Sequence, residues 1–432
     1  MASAYEPAGD LPRGARFLLR ATERLHAYGT PAHRLERVVT EFAARFDLRV
    51  QVFSTPTSIF VGMAPGEGER EDVHLIRVEP GGVDLGRLVE LDELMEGALA
   101  GTVTPDEAYA LLDEYEHASA RGSLGLQLVG HALAAGTAAM FFGGGLADVG
   151  LSAGIGALIA LVATAAHRRE GAASILDPLA AFLAAAVAFA AASLSDGQVD
   201  ARIVSIASII VIVPGLSLTV AFVELATRHL ASGTARLAGS ITAFLTIAFG
   251  ALLGRLVVRR GLGLELPTDE ATRVAHAGTA WLGSLPALAV GLVLASIGFA
   301  ILFRVRRSEL MAVVGGSALG FAAARTAGAL VSGDTPEAAV EGAAMAAFAG
   351  ALAVGLFSNA YARFKDRPAT VPLVPGLLVL VPGSVGYRAL SAFTERDALV
   401  GIDGAFQVLL LAAALVGGLL AANALLPPRR IL

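Results

Sequence analysis

The sequence predicts an α-helical polytopic membrane protein with a small N-terminal α+β domain, and two observations carry that prediction. Hydrophobic residues make up 55% of the 432 residues, and a mean hydropathy of +0.67 is rare among soluble domains. Charge is distributed unevenly, because residues 1–121 are rich in Arg, Glu and Asp whereas long apolar runs with short charged loops follow. We therefore expect one domain outside the membrane, at 1–120, and membrane-spanning helices after it.

The N-terminal segment has the spacing of a mixed domain of about 120 residues, which is long enough for a modest core. Apolar residues recur at helical intervals over 12–48, with a break at Gly29-Thr30-Pro31. Helical spacing returns over 86–117, where Thr104-Pro105-Asp106-Glu107 is typical of a helix start. Strand-like runs lie between them, at 49–53, 58–61 and 74–78. No apolar secretory signal precedes these elements, so we expect the domain to remain in the cytoplasm.

The remainder of the chain divides into about ten transmembrane helices, since each crossing needs about 20 apolar residues. The ninth run contains a helix break and is also compatible with a re-entrant segment. The ten runs lie near 122–147, 149–166, 176–195, 203–226, 235–257, 280–303, 309–331, 338–360, 370–392 and 402–426.

Charged loops predict the orientation of these helices. With the N-terminus in the cytoplasm, the loops expected inside carry the basic residues, as the positive-inside rule requires. The loop 258–279 disagrees, because it contains three arginines and is expected outside. An even number of crossings puts the C-terminus in the cytoplasm as well. The basic inside loops are 167–170, 227–229, 304–307, 363–367 and 427–430.

A repeated tripeptide suggests that the membrane part consists of two inverted five-helix repeats. Val213-Pro214-Gly215 returns as Val381-Pro382-Gly383, and aligning them also aligns Gly233 with Gly401. A rival register uses Val374-Pro375-Gly376 and loses the second match. An odd number of helices per half turns the second half upside down relative to the first. The predicted boundaries are 121–260 for the first repeat, 261–279 for the linker loop and 280–432 for the second repeat.

The repeated Pro-Gly pairs predict a transporter. Pro lacks an N–H and Gly favours non-helical angles, so each pair interrupts a helix. Broken backbone at membrane depth survives only where protein or a water-filled cavity satisfies its polar groups. Paired breaks are therefore a pointer to a central site, where a half-helix N-terminus suits a carboxylate. The candidates are Pro214, Gly215, Pro382 and Gly383, and the alternative for each is a proline kink that only serves packing.

Four side chains near the breaks are further candidates for substrate binding. Ser217, Thr219 and Ser384 carry hydroxyls that suit a polar substrate, although such groups more often bond their own helix backbone. Tyr387 lies one turn past the second break, where it either lines the site or anchors an interface.

Four charged residues are candidates for proton coupling or gating, because charge inside a membrane is costly unless it has a purpose or a partner. Glu224 ends an apolar run, and its alternative is a loop-edge pair with Arg228. Arg325 could hold a substrate carboxylate or pair with Glu224 or Asp148, and its alternative is a structural ion pair between helices. Arg236 is a further candidate of this group. Asp148 follows three glycines, and its alternative is an exposed helix cap.

The sequence shows no pattern typical of disulfides, metal sites, phosphate-binding loops or nucleic-acid binding. The absence of cysteine excludes disulfides, thiolate metal sites and cysteine nucleophiles. No sustained basic patch with aromatics suggests nucleic acid, and no metal-ligand spacing or phosphate-binding loop stands out, so we expect no cofactor.

Five motifs together resemble the threonine/serine exporter family of bacterial membrane proteins. They are YGTPAHRLERVV at 28–39, STPTSIFVGM at 54–63, FFGGGLADVG at 141–150, the run 213–240 that begins VPGLSLTV, and VPLVPGLLVLVPGSVGYRALSAF at 371–393. The resemblance covers nearly the whole chain. It implies export of L-threonine and L-serine across the bacterial inner membrane, with proton antiport. The implied partners are the amino acids, protons and lipid, and a homo-oligomer stays open.

Two alternatives remain at the level of sequence. One is an exporter of a different small polar metabolite. The other is a membrane-anchored hydrolase whose N-terminal domain is catalytic through some of His26, His33, His74, Asp72 and Ser58.

Overall fold

The structure is a computed structural model. It describes residues 11–46, 48–64, 71–79, 82–118, 123–166, 175–195, 197–265, 279–331, 333, 335–380, 385, 389 and 398–428.

The N-terminal segment is an α+β domain, as its spacing predicts. Its three strands form an antiparallel sheet in the order β1-β2-β3, with Val52 opposite Val61 and Val61 opposite His74. Four helices pack with this sheet. The elements are α1 Arg13–Ala27, α2 Ala32–Ala44, β1 Arg49–Thr55, β2 Ser58–Ala64, β3 Asp72–Arg77, α3 Leu85–Leu99 and α4 Pro105–Ala118.

The core of this domain forms between the helices and one face of the sheet. Phe17 and Phe42 are fully buried with their ring centroids 5.7 Å apart, and Ile59 and Ile76 are buried on the strands opposite. The start of α4 is the capping box that the sequence predicts. The Thr104 amide donates to the Glu107 carboxylate at 2.9 Å, and the Glu107 amide donates to Thr104 Oγ1 at 3.3 Å.

The membrane part follows the domain. Among the described residues, eight helices are long and apolar enough to cross a membrane. The elements are α5 Leu124–Phe141, α6 Leu146–Ala166, α7 Leu176–Leu194, α8 Ala201–Ser208, α9 Gly215–Ala226, α10 Leu230–Leu256, α11 Leu285–Leu302, α12 Leu310–Val331, α13 Pro336–Lys365, α14 Thr370–Leu378 and α15 Ala398–Leu425.

Two of the ten expected spans are not continuous helices, and both contain a predicted break. The fourth expected span, 203–226, is two short helices, α8 and α9, with turns between them. The ninth, 370–392, begins with the nine-residue α14, and most of the residues from 381 to 392 lie outside the described part of the chain. The other eight expected spans correspond to continuous helices.

Apolar side chains cover the outer face of the helices, as contact with lipid requires. On α10, Ile241, Leu245 and Phe249 recur every fourth residue and are 50–58% exposed. The interior faces are instead rich in small residues. A Cβ at Gly254 would lie 2.5 Å from the Phe182 carbonyl oxygen of α7, so only glycine permits this approach of the two backbones.

The domain docks on loops that the charge pattern predicts to share one side. The Leu85 amide donates to the Phe303 carbonyl at 2.9 Å, and Arg304 pairs with Asp84 at 2.8 Å. Glu93 of α3 pairs with both Arg306 and Arg367. Burial opposes ionisation of Glu93, but hydrogen bonds from these two arginines hold its pKa below its ordinary value.

The contact of α3 with the 303–306 loop depends on a glycine, and this gives a first prediction. A Cβ at Gly86 would lie 2.5 Å from the Arg304 carbonyl oxygen. We expect Gly86→Val to lower the stability of the full chain by about 1–3 kcal/mol, as overpacking does, with faster hydrogen exchange in α3. The matched control is Gly82→Val, because an added Cβ there meets nothing within 4 Å. Equal thermal melting and equal exchange for the two variants would contradict the docking contact.

Candidate functional site

The first helix break is present where the repeated tripeptide predicts it. Helix α8 ends at Ser208 and α9 begins at Gly215, with turns between them. Pro214 precedes the first residue of α9, and the Gly215 amide bonds the Val213 carbonyl at 2.7 Å. The break therefore gives α9 its own N-terminus inside the membrane part, with the positive end of the helix dipole directed at the break.

The second break is described only in part. Helix α14 ends at Leu378 and tolerates Pro375 in its interior. The predicted site residues of this break, Pro382, Gly383, Ser384 and Tyr387, all lie outside the described residues. Their roles therefore stay predictions.

One cavity, of about 320 Å³, lies beside both interrupted segments, and we name it the outer cavity because it lies away from the N-terminal domain. Ile210 of the first break lines it together with Leu378 and Val379 at the end of α14. Most of its wall is apolar, including several phenylalanines. Thr137 of α5 and Arg325 of α12 are its polar side chains among the described residues.

Arg325 is the cation of the outer cavity. Its side chain is exposed, and within the described part of the chain it has no ion-pair or hydrogen-bond partner. The expectation that it locks Glu224 or Asp148 is therefore wrong for this structure, since both carboxylates have other partners. An exposed guanidinium in an apolar cavity is suited to bind a carboxylate.

A second cavity, of about 120 Å³, lies on the domain side of the breaks, and we name it the inner cavity. Its membrane wall includes Leu216 and Thr219 of α9 and Leu377 of α14. Its other wall is the Tyr28–Pro31 turn of the N-terminal domain and the first turn of α2. Leu377 and Leu378 are neighbours that face different cavities, so the interrupted segments form the partition between the two.

Glu224 of α9 joins the domain to the membrane part. It is fully buried, and its carboxylate accepts hydrogen bonds from four donors, of which one is the Ala32 amide at the start of α2. The others are Ser232 Oγ at 2.9 Å and Arg236 Nε and Nη2 at 3.1 and 3.3 Å. Glu224 does not pair with Arg228, which the sequence suggested as its alternative partner. Arg228 lies at the end of α9 with a φ of 67°, and Arg236 approaches from α10 instead.

A second contact reinforces this junction. His229 Nε2 lies 3.2 Å from a carboxylate oxygen of Glu36, and the other oxygen of Glu36 accepts the Ser54 amide at 2.9 Å. The ring of His33 lies against that of His229, with centroids 6.1 Å apart. Sequence reasoning missed this junction, although both sides of it belong to the motifs 28–39 and 213–240.

The other predicted residues have structural partners. Thr219 Oγ1 donates to the Gly215 carbonyl at 3.1 Å, which is the backbone bond that the sequence left as an alternative. Ser217 Oγ lies 3.1 Å from Ser240 Oγ. Asp148 is a cap but is fully buried, contrary to the expected exposure, and accepts the amides of Gly145 and Asp200 at 2.8 Å.

The residues weighed for hydrolysis are engaged in other ways. His26 Nε2 lies 3.1 Å from the Thr55 carbonyl, whereas His33 faces the membrane helices. Among the described residues, no cluster of three or more His, Cys, Asp or Glu could hold a metal ion.

Comparison with known proteins identifies the family. A model described as "Putative threonine/serine exporter" matches residues 16–257, and one described as "Threonine/Serine exporter, ThrE" matches residues 288–425. The chain belongs to the threonine/serine exporter family. The resemblance carried by the five sequence motifs is thereby confirmed, and the chain is a multi-pass membrane protein of this transporter family.

Fungal membrane proteins are similar to most of this chain. The chain is 23% identical over 399 residues to "Pheromone-regulated membrane protein 10" of Debaryomyces hansenii, covering 92% of this chain and 38% of that protein. It is 23% identical over 400 residues to the protein of that name in Saccharomyces cerevisiae, covering 91% and 50%. The chain thus spans half or less of the length of these relatives. No solved structure matches it.

The partly buried His33 gives a second prediction, on pH. Burial and the charges of Arg34, His229, Arg37 and Arg236 lower its pKa from 6.5 to about 3, with Glu36 and Glu224 on the same junction. The unfolded chain therefore binds a proton below pH 6.5 that the folded chain does not. Stability should fall as pH drops from 6.5 towards 3, by up to about 1.4 kcal/mol per pH unit.

The measurement is the thermal melting of the full chain between pH 7.5 and 5. His33→Gln should flatten the decline, whereas His74→Gln, on the edge strand β3, should leave it as in the unaltered chain. A decline that is equally steep in His33→Gln would contradict the assignment.

Proposed function

We propose that the chain exports threonine, serine or a similar small neutral amino acid from the cytoplasm by alternating access, coupled to the proton motive force. Family membership supports the class of substrate. The observation that carries the mechanism is the pair of cavities that meet the interrupted helices from opposite sides. A substrate that crosses between them passes main-chain dipoles that a zwitterion can bond.

The proposal includes two inverted five-helix halves, and helix directions support it. The first helices of the halves, α5 and α11, are antiparallel: Gly130 near the start of α5 contacts Leu302 at the end of α11, and Gly291 contacts Met140. In each half the third helix packs along the fifth through glycines. Gly250 and Gly254 of α10 meet α7, and Gly418 of α15 meets α13. Such a pair of halves can open alternately to the two sides.

Arg325 is the proposed partner of the substrate carboxylate in the outer cavity. An exposed charge with no partner among the described residues is available to a ligand, and a charge-assisted hydrogen bond contributes about 1.5–3 kcal/mol.

The test of this assignment is flux in proteoliposomes that hold labelled threonine under an imposed pH gradient. Arg325→Gln should reduce gradient-driven flux roughly 10- to 100-fold, and Arg325→Lys should retain more of it. The control is Arg363→Gln, since Arg363 bonds the Pro427 carbonyl at the domain side. Full flux in Arg325→Gln would remove the residue from the site. Absence of flux for every small neutral amino acid in the unaltered chain would refute export itself.

Glu224 is the proposed proton-coupling acid, because it is the buried carboxylate that links the half-helix α9 to both α10 and the domain. Proton uptake would weaken its hold on Arg236 and the Ala32 amide together. Glu224→Gln should therefore reduce proton-driven flux while threonine–threonine exchange persists at unchanged expression. Glu337→Gln, at the exposed start of α13, serves as the control. Unchanged coupling in Glu224→Gln would transfer this role elsewhere, with Asp148 as the next candidate.

A further inference from the structure

Three residues that line the inner cavity each carry a buried polar atom with no hydrogen-bond partner among the described residues. The atoms are Thr30 Oγ1 and His33 Nδ1 from the domain and Thr370 Oγ1 from α14. Thr30 and Thr370 are only 4% and 7% exposed. A buried hydroxyl without a partner is costly, and structures retain very few of them. Three such residues around one cavity favour a ligand there, towards which each side chain would have to turn, because its polar atom has almost no accessible surface.

The inner cavity has the size and lining for a small polar molecule. Its volume of about 120 Å³ is well above the roughly 10–15 Å³ that one water needs. Leu216 and Leu377 supply an apolar side that suits a methyl group. Arg34 also lines it, and since burial lowers the pKa of Arg34 only to about 10, a positive charge remains at neutral pH to attract a carboxylate.

We propose that the inner cavity is a second binding site, for a small hydroxy amino acid, and that the N-terminal domain supplies half of it. Thr30 and Thr370, on opposite walls, bond the polar groups of the ligand, and the leucines contact its carbon atoms. The identity of the ligand rests on the proposed function. The site itself rests on the three unpartnered atoms and on the wall that the domain contributes.

The domain-side wall is held in place by specific geometry. Gly29 has a φ of +89°, and a Cβ there would lie 2.9 Å from Val83, so the turn needs glycine. The Thr30 amide bonds the Leu25 carbonyl at 3.0 Å, and the Ala32 amide bonds Glu224. With the wall in this position the domain forms one side of the cavity. A movement of the domain would therefore change access to the site, which makes the domain part of the transport path.

The test uses the natural lack of cysteine in the full chain. Single Thr30→Cys and Thr370→Cys variants in membrane vesicles are reacted with a small polar thiol reagent. L-threonine should slow the labelling of both at least fivefold, whereas L-valine, which has a methyl in place of the hydroxyl, should slow it little. The control is Thr40→Cys, on the exposed face of α2, whose labelling should not respond.

A second measurement covers the case that cysteine at either position disturbs the site. Thr30→Val and Thr370→Val should weaken threonine binding to the purified full chain about 5- to 10-fold in calorimetry, with melting temperatures close to that of the unaltered chain. Threonine flux that persists without protection of either cysteine, and with unweakened binding in both valine variants, would overturn the second site and leave export intact. Protection without any flux would support the site and refute export.

Discussion

The Glu224 carboxylate is the interaction on which the arrangement of the two parts depends. A fully buried carboxylate is tolerable only when donors surround it. Here the donors come from two other elements, Ala32 of α2 and Ser232 and Arg236 of α10, so that three elements meet at this residue of α9. Moving any one element leaves buried polar groups without partners. The position of the domain, its wall of the inner cavity and the packing of the half-helix α9 are therefore set together.

The same domain also contacts the second half of the membrane part. Its α3 meets the loop after α11 through Asp84 and Arg304, and Glu93 reaches Arg306 and Arg367. The domain thus bridges the two proposed halves on one side of the helices. The proposed alternating access would move those halves relative to each other, so the domain would have to release one attachment or deform when the inner side opens.

The features that could be predicted from the sequence are those that depend on residues close together in the chain. Apolar runs predicted the long helices, Thr104 and Glu107 predicted the cap of α4, and the Pro-Gly pair predicted the break before Gly215. The partners of Glu224 could not be predicted from the sequence, because Ala32 is 192 positions away and Arg228 is nearer in the chain than Arg236. The two cavities could not be predicted from the sequence either, because each is lined by side chains from helices that are far apart in the chain.

The two attachments of the domain both use a buried carboxylate. At the first, the Ala32 amide of the domain bonds the fully buried Glu224, which also pairs with Arg236 inside the membrane part. At the second, Asp84 of the domain is 8% exposed and pairs with Arg304, while the nearby Arg306 and Glu93 side chains are 34% and 42% exposed. Exposed pairs contribute little and are screened by salt, so the Glu93–Arg306 pair is the weakest part of the bridge.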